Sequence, residues 1–116
     1  MGATIENLSL QETWEKVIQV LNEKPEPFAN EELIYQFEYV DESVTYCLVL
    51  SNGVAKVENG PNEAAQCTLS MNVDSFKKLL KGQLNSTVAY MTGKLKVKGS
   101  LGLALKMESM LKQYQF

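Results

Sequence analysis

The sequence predicts an α+β fold, a single domain in which a five-stranded, mostly antiparallel sheet is covered by helices. Four strand-like segments follow one another between residues 33 and 71, and helix-like segments lie before and after this cluster. Clustered strands joined by short turns favour antiparallel pairing, whereas a regular strand–helix alternation would favour a parallel sheet. With 116 residues, 45% of them hydrophobic, the chain has the size of one domain with a modest core.

The first element is an amphipathic helix that ends before Pro25. Ser9 and Glu12 have the spacing of a capping box, in which each side chain binds the other residue's backbone N–H. An apolar stripe at helical spacing follows, and it indicates a helix that packs on a sheet. The stripe consists of Leu10, Trp14, Val17, Ile18, Val20 and Leu21.

The strands follow from period-two alternation and from turn residues. Residues 33–40 and 44–50 alternate and are joined by a short acidic turn, so they predict an antiparallel hairpin. Asn52-Gly53 suits the two positive φ positions of a type I′ turn, which leads into a third strand at residues 54–58. Residues 66–71 alternate again and give the fourth strand.

Two short helices come next. Asp74 is the predicted N-cap of the first, and Gly82 ends it. Asn85 or Ser86 caps the second, which runs up to Gly93.

The last two elements are a strand at residues 94–98 and a helix capped by Ser100. This helix has more apolar surface than packing on a sheet requires. Leu101 and Leu105 lie off its main apolar arc, so they meet another helix or face a space that an apolar group fills. The main arc consists of Leu103, Ala104, Met107, Met110, Leu111 and Tyr114.

Residues 89–111, AYMTGKLKVKGSLGLALKMESML, together with AQCTLSM and LKGQLN upstream, resemble the sterol carrier protein 2 family. The resemblance is densest over the last fifty residues or so. It implies a five-stranded sheet covered by helices, with an apolar tunnel for a lipid between the two layers. The best matched tunnel positions are Phe76, Met91, Leu95, Leu101, Leu105 and Met107, and the rim positions are Leu84, Tyr90 and Tyr114.

Several chemistries are excluded by missing residues. The chain has no His and no Arg, no C-x-x-C pair and no glycine-rich phosphate loop. It therefore lacks the commonest general base, metal ligand and bidentate anion clamp. We expect no enzyme activity, no metal and no cofactor.

The last third of the chain holds an excess of Leu, Met and other apolar residues. Plain core packing explains these apolar residues as well as a pocket does. The family resemblance favours a lipid-binding pocket. The adaptable Met side chain also suits acyl chains of varied shape. The candidate lipid-binding residues are Phe76, Leu80, Val88, Met91, Leu101, Leu103, Leu105, Met107, Met110 and Leu111.

Charge is distributed unevenly along the chain. Residues 1–60 hold three lysines and eleven acidic residues, whereas residues 61–116 hold eight lysines and three acidic residues. Lys94, Lys96 and Lys98 alternate on one strand face and are candidates for contact with anionic lipid headgroups near the cavity mouth. A solvated face and protection of an edge strand are the alternatives. Nucleic acid is not expected, because no aromatic residues interleave with the lysines.

These observations predict a lipid-binding or lipid-transfer protein. We expect it to hold a fatty acid, a fatty acyl-CoA or a similar apolar lipid, sterol included, in a cavity under the C-terminal helix, which moves aside for exchange. The alternative is an accessory module that binds a partner enzyme or a second copy of the chain through the same apolar surface.

A cytoplasmic location is the corresponding prediction. Residues 1–10 have no basic start and no apolar run, and the longest apolar run, residues 46–50, is far too short to span a bilayer. Cys47 and Cys67 lie in strand-like segments, where buried free thiols are more common than a disulfide.

Overall fold

The computed structural model describes residues 5–116. Within this range single 3₁₀ turns occur at Ile5–Asn7 and Glu26–Phe28. The predicted cytoplasmic location was based in part on residues 1–10, of which residues 1–4 lie outside the described residues. The helices and strands, in chain order, are α1 (Leu10–Glu23), β1 (Leu33–Tyr39), β2 (Val44–Ser51), β3 (Val54–Asn59), β4 (Cys67–Met71), α2 (Val73–Leu80), α3 (Ser86–Met91), β5 (Lys96–Gly99) and α4 (Leu101–Leu111).

The sheet has the strand order β3-β2-β1-β4-β5. Strand β1 pairs in parallel with β4, and the other three pairings are antiparallel, which confirms the predicted mostly antiparallel sheet. The chain reaches β4 from β3 across the sheet face opposite the helices. There Asn62 N donates to Gln36 Oε1 at 2.8 Å, and the Cys47 thiol donates to the Gly60 carbonyl at 3.4 Å.

An aromatic cluster joins α1, α2 and the middle of β1. The ring of Trp14 lies 5.0 Å from that of Phe76 and 5.2 Å from that of Phe37, measured between centroids. The Trp14 indole N–H donates to the hydroxyl of Tyr39 at 3.0 Å, so the buried polar atoms of this cluster are paired. These contacts fix the first half of the helical layer on the sheet.

The local predictions at the first helix and the hairpin turn are confirmed. Glu12 N donates to Ser9 Oγ at 3.1 Å and Ser9 N donates to Glu12 Oε1 at 2.9 Å, the two bonds of a capping box. Asn52 has a φ of 55° and Gly53 a φ of 73°, as a type I′ turn requires.

The predicted N-cap of α2 is wrong. Asn72, two residues earlier, is the cap, and its Oδ1 accepts from Ser75 N at 2.7 Å. Asp74 lies inside the first turn, where its carboxylate pairs with Lys78 at 3.1 Å. The strand β4 ends at Met71 with extended backbone that continues into Asn72, so Asn72 is the last residue with the non-helical conformation of an N-cap.

The last strand is shorter than predicted and begins two residues later. It starts at Lys96, because Leu95 N donates to the carbonyl of Ala89 at 3.1 Å and so belongs to the end of α3. Gly93 turns the chain there with a φ of 82°. The cap of α3 is Asn85, whose side chain accepts from Val88 N, and Ser86 is the first helical residue.

Candidate functional site

The C-terminal helix α4 lies over the sheet as predicted. Ser100 Oγ accepts from Leu103 N at 3.2 Å and caps it. Its buried side chains are those of the predicted apolar arc: Ala104, Met107, Met110 and Leu111.

Two tyrosine hydroxyls fasten the C-terminal segment to the rest of the molecule. Tyr35, from β1, donates to the carbonyl of Leu103 at 3.0 Å, and Tyr114 donates to the carbonyl of Lys24 at 2.6 Å. Burial raises the pKa of both phenols, that of Tyr114 to about 12, so both stay protonated donors at neutral pH. Sequence reasoning missed Tyr35, although a Tyr at an inward strand position signals that its hydroxyl needs a partner.

A carboxylate fastens α4 to α3. Glu108 Oε1 accepts from Ser86 N at 3.3 Å, and its other oxygen pairs with Lys112 at 3.1 Å. Burial acts to raise the pKa of Glu108, but the hydrogen bonds from Ser86 and Lys112 outweigh it and lower the pKa overall. The flank of α4 that carries Glu108 therefore faces α3.

A small pocket opens on the other flank of α4. Leu33 and Leu50 of the sheet and Met110 of α4 supply its apolar walls. Glu31 and Lys106 also line it, and their side chains form an ion pair of 2.8 Å. This site joins apolar walls to one charged pair.

The pocket has a volume of about 170 Å³. Pockets for drug-sized ligands occupy roughly 300–1,000 Å³, and a water molecule takes about 30 Å³ of the liquid. In this conformation the pocket admits a few waters or the end of an acyl chain. A whole lipid fits only if α4 or its neighbours move outward.

Of the ten predicted lipid-binding residues, five are buried, one is half-buried and four are exposed. Leu103 is half-buried, and only Met110 among the ten lines the pocket. Because the five buried members are nearly free of solvent exposure, they belong to the core in this conformation. The buried members are Phe76, Leu80, Met107, Met110 and Leu111.

The other four predicted residues are exposed. Met91 is 78% exposed, Val88 55%, Leu101 40% and Leu105 39%. Leu101 and Leu105 share the spacing i, i+4, i+7 with Glu108, so they lie on the flank of α4 that faces α3. The structure thus gathers the exposed residues around α3 and the adjoining flank of α4, and does not bring them to the pocket.

A second depression, a groove of about 350 Å³, runs beside α3. Leu84 and Val88 line it together with Lys78 and Lys94. Of the residues predicted for the cavity rim, Leu84 borders this groove, whereas Tyr90 is exposed and Tyr114 is buried. The groove places two ammonium groups beside exposed apolar surface.

The three lysines predicted for the last strand are all exposed, but only Lys96 and Lys98 lie in it. Lys96 and Lys98 pair with Ser70 and Thr68 in the edge strand β5, on the sheet face opposite the helices. Lys94 precedes the strand and lines the α3 groove. None of the three lysines lines the pocket at α4; the lysine that lines this pocket is Lys106.

The two cysteines are buried free thiols, as predicted. Burial raises the pKa of Cys47 and of Cys67, so both thiols stay protonated. Among residues 5–116, no group of three His, Cys, Asp or Glu side chains has an arrangement that would hold a metal ion. Over the same range no helix is long and apolar enough to cross a bilayer.

A five-stranded sheet under a helical layer, with a small apolar-walled pocket at one flank of the last helix, defines a small α+β domain. The chain belongs to the SCP-2 sterol transfer family, whose model matches residues 15–112. This confirms the resemblance found in the sequence.

Known proteins agree with this assignment. Hydroxysteroid dehydrogenase-like protein 2 from Xenopus tropicalis is 41% identical over 106 residues, which are 90% of this chain and 25% of the relative. Apo sterol carrier protein 2 from Yarrowia lipolytica is 30% identical, with a TM-score of 0.64 over 84% of this chain and 79% of that protein. Sterol carrier protein 2 from Aedes aegypti, solved in complex with palmitate, has a TM-score of 0.71 and 21% identity over 93% of this chain and all of that one (100%).

The curated relatives are longer proteins. The chain spans about a quarter of the length of the Xenopus relative (25%), so the similarity concerns one segment of that protein.

Proposed function

We propose that this protein binds a single-chain lipid under α4 and carries or presents it without a covalent step. The ligand class is a fatty acid, a fatty acyl-CoA or a similar apolar lipid. The observation that carries the proposal is the pocket at the flank of α4, whose apolar walls, Leu33, Leu50 and Met110, belong to the hydrophobic core or pack against it. The palmitate complex of the Aedes family member supports the same ligand class.

The mechanism we propose is uptake through movement of α4. The helix is held over the sheet by a few discrete polar contacts, chiefly Tyr35 to Leu103 and Glu31 to Lys106, and by the flexible side chains of Met107 and Met110. When those contacts part, the acyl chain enters beneath the helix and adds to the buried apolar surface. About fourteen methylenes at roughly 0.8 kcal/mol each stabilise the complex by about 11 kcal/mol before the costs of binding. A sterol needs a wider opening than a linear chain does.

A bulky side chain introduced at the rim of the pocket tests the proposal. Ser109 is exposed and lines the pocket, so Ser109→Trp places an indole in the space that the chain would occupy, without disturbing a core residue. We expect palmitate binding, measured by native mass spectrometry and by titration calorimetry, to fall at least tenfold. Leu105→Trp, on the flank of α4 that faces α3, is the matched control and should bind as the unaltered chain does.

If the Leu105 variant loses palmitate and the Ser109 variant keeps it, the site lies between α3 and α4 and the proposal is wrong in its location. If neither the unaltered chain nor any variant takes up palmitate, and the chain forms a stable oligomer, the accessory-module alternative is favoured. In that case the exposed surface of Val88, Met91, Leu101 and Leu105 is the contact with a second copy or a partner enzyme.

We further propose that the lysine-rich part of the molecule contacts anionic membranes. Residues 75–107 contain seven lysines and no acidic residue, and Lys94, Lys96 and Lys98 are all exposed. Val88 and Met91 of α3 are exposed beside Lys94, so apolar insertion and headgroup attraction are available on adjoining surfaces. Each lysine near an anionic surface contributes about 1 kcal/mol.

Vesicle sedimentation tests the contact. Vesicles of phosphatidylcholine with phosphatidylserine should bind the chain, and pure phosphatidylcholine vesicles should not. Lys94→Gln combined with Met91→Ser should reduce binding at least tenfold, whereas Lys56→Gln, on the opposite edge strand β3, should change it little. Equal binding to both vesicle types would contradict the proposal. A cytoplasmic location remains our proposal and is supported by the two free thiols; cell fractionation would test it.

A further inference from the structure

We propose that Lys106 is the anchor for the anionic head of the lipid, and that Glu31 occupies this anchor until a ligand carboxylate replaces it. The inference rests on the proposed lipid binding under α4 and names the residue that selects acidic lipids. It makes the Glu31–Lys106 ion pair an exchangeable contact at the pocket mouth.

The Glu31–Lys106 ion pair lies where the pocket meets the solvent. Lys106 Nζ lies 2.8 Å from each of the two oxygens of Glu31, and both residues line the pocket whose walls are Leu33, Leu50 and Met110. The side chain of Lys106 is 50% exposed and that of Glu31 is 27% exposed. A chain that lies along the apolar walls would therefore have its head beside the ammonium group at the solvent boundary.

The described pocket lining contains no second cation that could pair with a ligand carboxylate. Of its titratable residues, Tyr35 keeps its proton because burial raises its pKa, and its hydroxyl is already bound to the Leu103 carbonyl. Lys106 is thus the one cation of the described lining, and Glu31 the one carboxylate. An acidic ligand can compete for Lys106 only with Glu31.

The energetics favour exchange over simple opening. A solvent-exposed ion pair contributes about 0–1 kcal/mol, so Glu31 leaves Lys106 at little cost. Glu31 stands between the turn Glu26–Phe28 and the start of β1, from where its carboxylate can turn into water. A fatty acid replaces the ionic contact with Lys106 that Glu31 gives up. A fatty alcohol of the same length carries no charge, so Lys106 is left without an ionic partner when the ion pair parts. The pair therefore discriminates acids from neutral lipids.

The experiment compares laurate with dodecanol, which share one chain length and differ in charge, by titration calorimetry on the full chain. We expect the unaltered chain to bind laurate roughly fivefold more tightly than dodecanol. Lys106→Met should remove this preference, because it leaves laurate binding nearly unchanged and strengthens dodecanol binding about fivefold, since no ion pair then has to part. Glu31→Gln should strengthen the binding of both lipids about threefold for the same reason and should keep the preference for laurate, because Lys106 remains.

Two variants with the same changes of charge serve as controls. Glu63→Gln and Lys98→Met alter exposed residues away from the pocket lining and should not change the preference. Because all four altered side chains are at least partly exposed, thermal melts should show folded proteins throughout.

The outcomes separate this inference from the function on which it rests. If laurate and dodecanol bind equally well, or Lys106→Met weakens both to the same degree, Lys106 only pins α4 to the loop before β1 and the inference is overturned, while lipid binding stands. If neither lipid binds the unaltered chain, both the inference and the proposed carrier function are wrong.

Discussion

The two halves of the helical layer are attached to the sheet in different ways. Under α1 and α2 the aromatic rings of Trp14, Phe37 and Phe76 interlock with centroid distances of 5.0–5.5 Å. Under α4 the packing involves no interlocked aromatic rings: the buried side chains of the helix are Ala104, Leu111 and the flexible Met107 and Met110. Single hydrogen bonds and one ion pair fix the position of the helix. This difference is consistent with the proposed function, in which the aromatic half holds the fold while the half under α4 admits a lipid.

The largest expected effect concerns the aromatic half. Trp14→Ala removes a ring that contacts three other aromatic side chains, and we expect the free energy of unfolding to fall by about 3–5 kcal/mol. Met110→Ala should cost about 2 kcal/mol, at the low end for its class, because Met110 already borders open volume. Urea denaturation measures both. Equal losses would mean that the two halves are packed alike.

A second comparison uses one hydroxyl from each half. Tyr35→Phe removes the bond to the Leu103 carbonyl, and we expect a loss of about 1 kcal/mol together with faster palmitate uptake in stopped-flow measurements. Tyr39→Phe leaves the buried Trp14 indole N–H without a partner and should cost about 1–3 kcal/mol. The Tyr39 variant should take up palmitate at the original rate. Faster uptake in both variants would show that general loosening, and not release of α4, controls the rate.

The sequence predicts best what is local. The capping box at Ser9 and the turn at Asn52-Gly53 follow from residues within three positions of one another, and both are present. The cap of α2 was predicted at Asp74 and is Asn72, because both residue types are good caps and the end of β4, which local sequence does not fix, decides between them.

The site depended on contacts that no local pattern reports. Tyr35 and Leu103 are 68 residues apart in sequence, and Glu31 and Lys106 are 75 apart. Periodicity placed Leu101 and Leu105 on a separate flank of α4, which the structure bears out. It could not show that this flank faces α3 and stays partly exposed, since exposure depends on how far a neighbouring helix reaches. The family resemblance supplied the ligand class, whereas the pocket walls required the three-dimensional arrangement.

The smallest expected effect tests the junction of α3 with α4 through pH. The pKa of Glu108 lies below its ordinary value of 4.5, because hydrogen bonds from Ser86 and Lys112 to the charged form outweigh burial. The stabilisation is therefore complete above about pH 4.5 and is lost as the pH falls through the lowered pKa of the folded state. The protection factors of the α3 amides, from which the slowing of intrinsic exchange in acid is divided out, should fall in that range, and those of Glu108→Gln should be lower at neutral pH with little further change on acidification. Glu12, whose pKa is also lowered but by the capping box of α1, provides the contrast: Glu12→Gln should affect exchange in α1 and leave α3 unchanged. If the α3 amides of the unaltered chain show no acid-dependent loss of protection, Glu108 does not hold α3 to α4, and the loosely fastened half of the molecule is confined to the flank that carries Lys106.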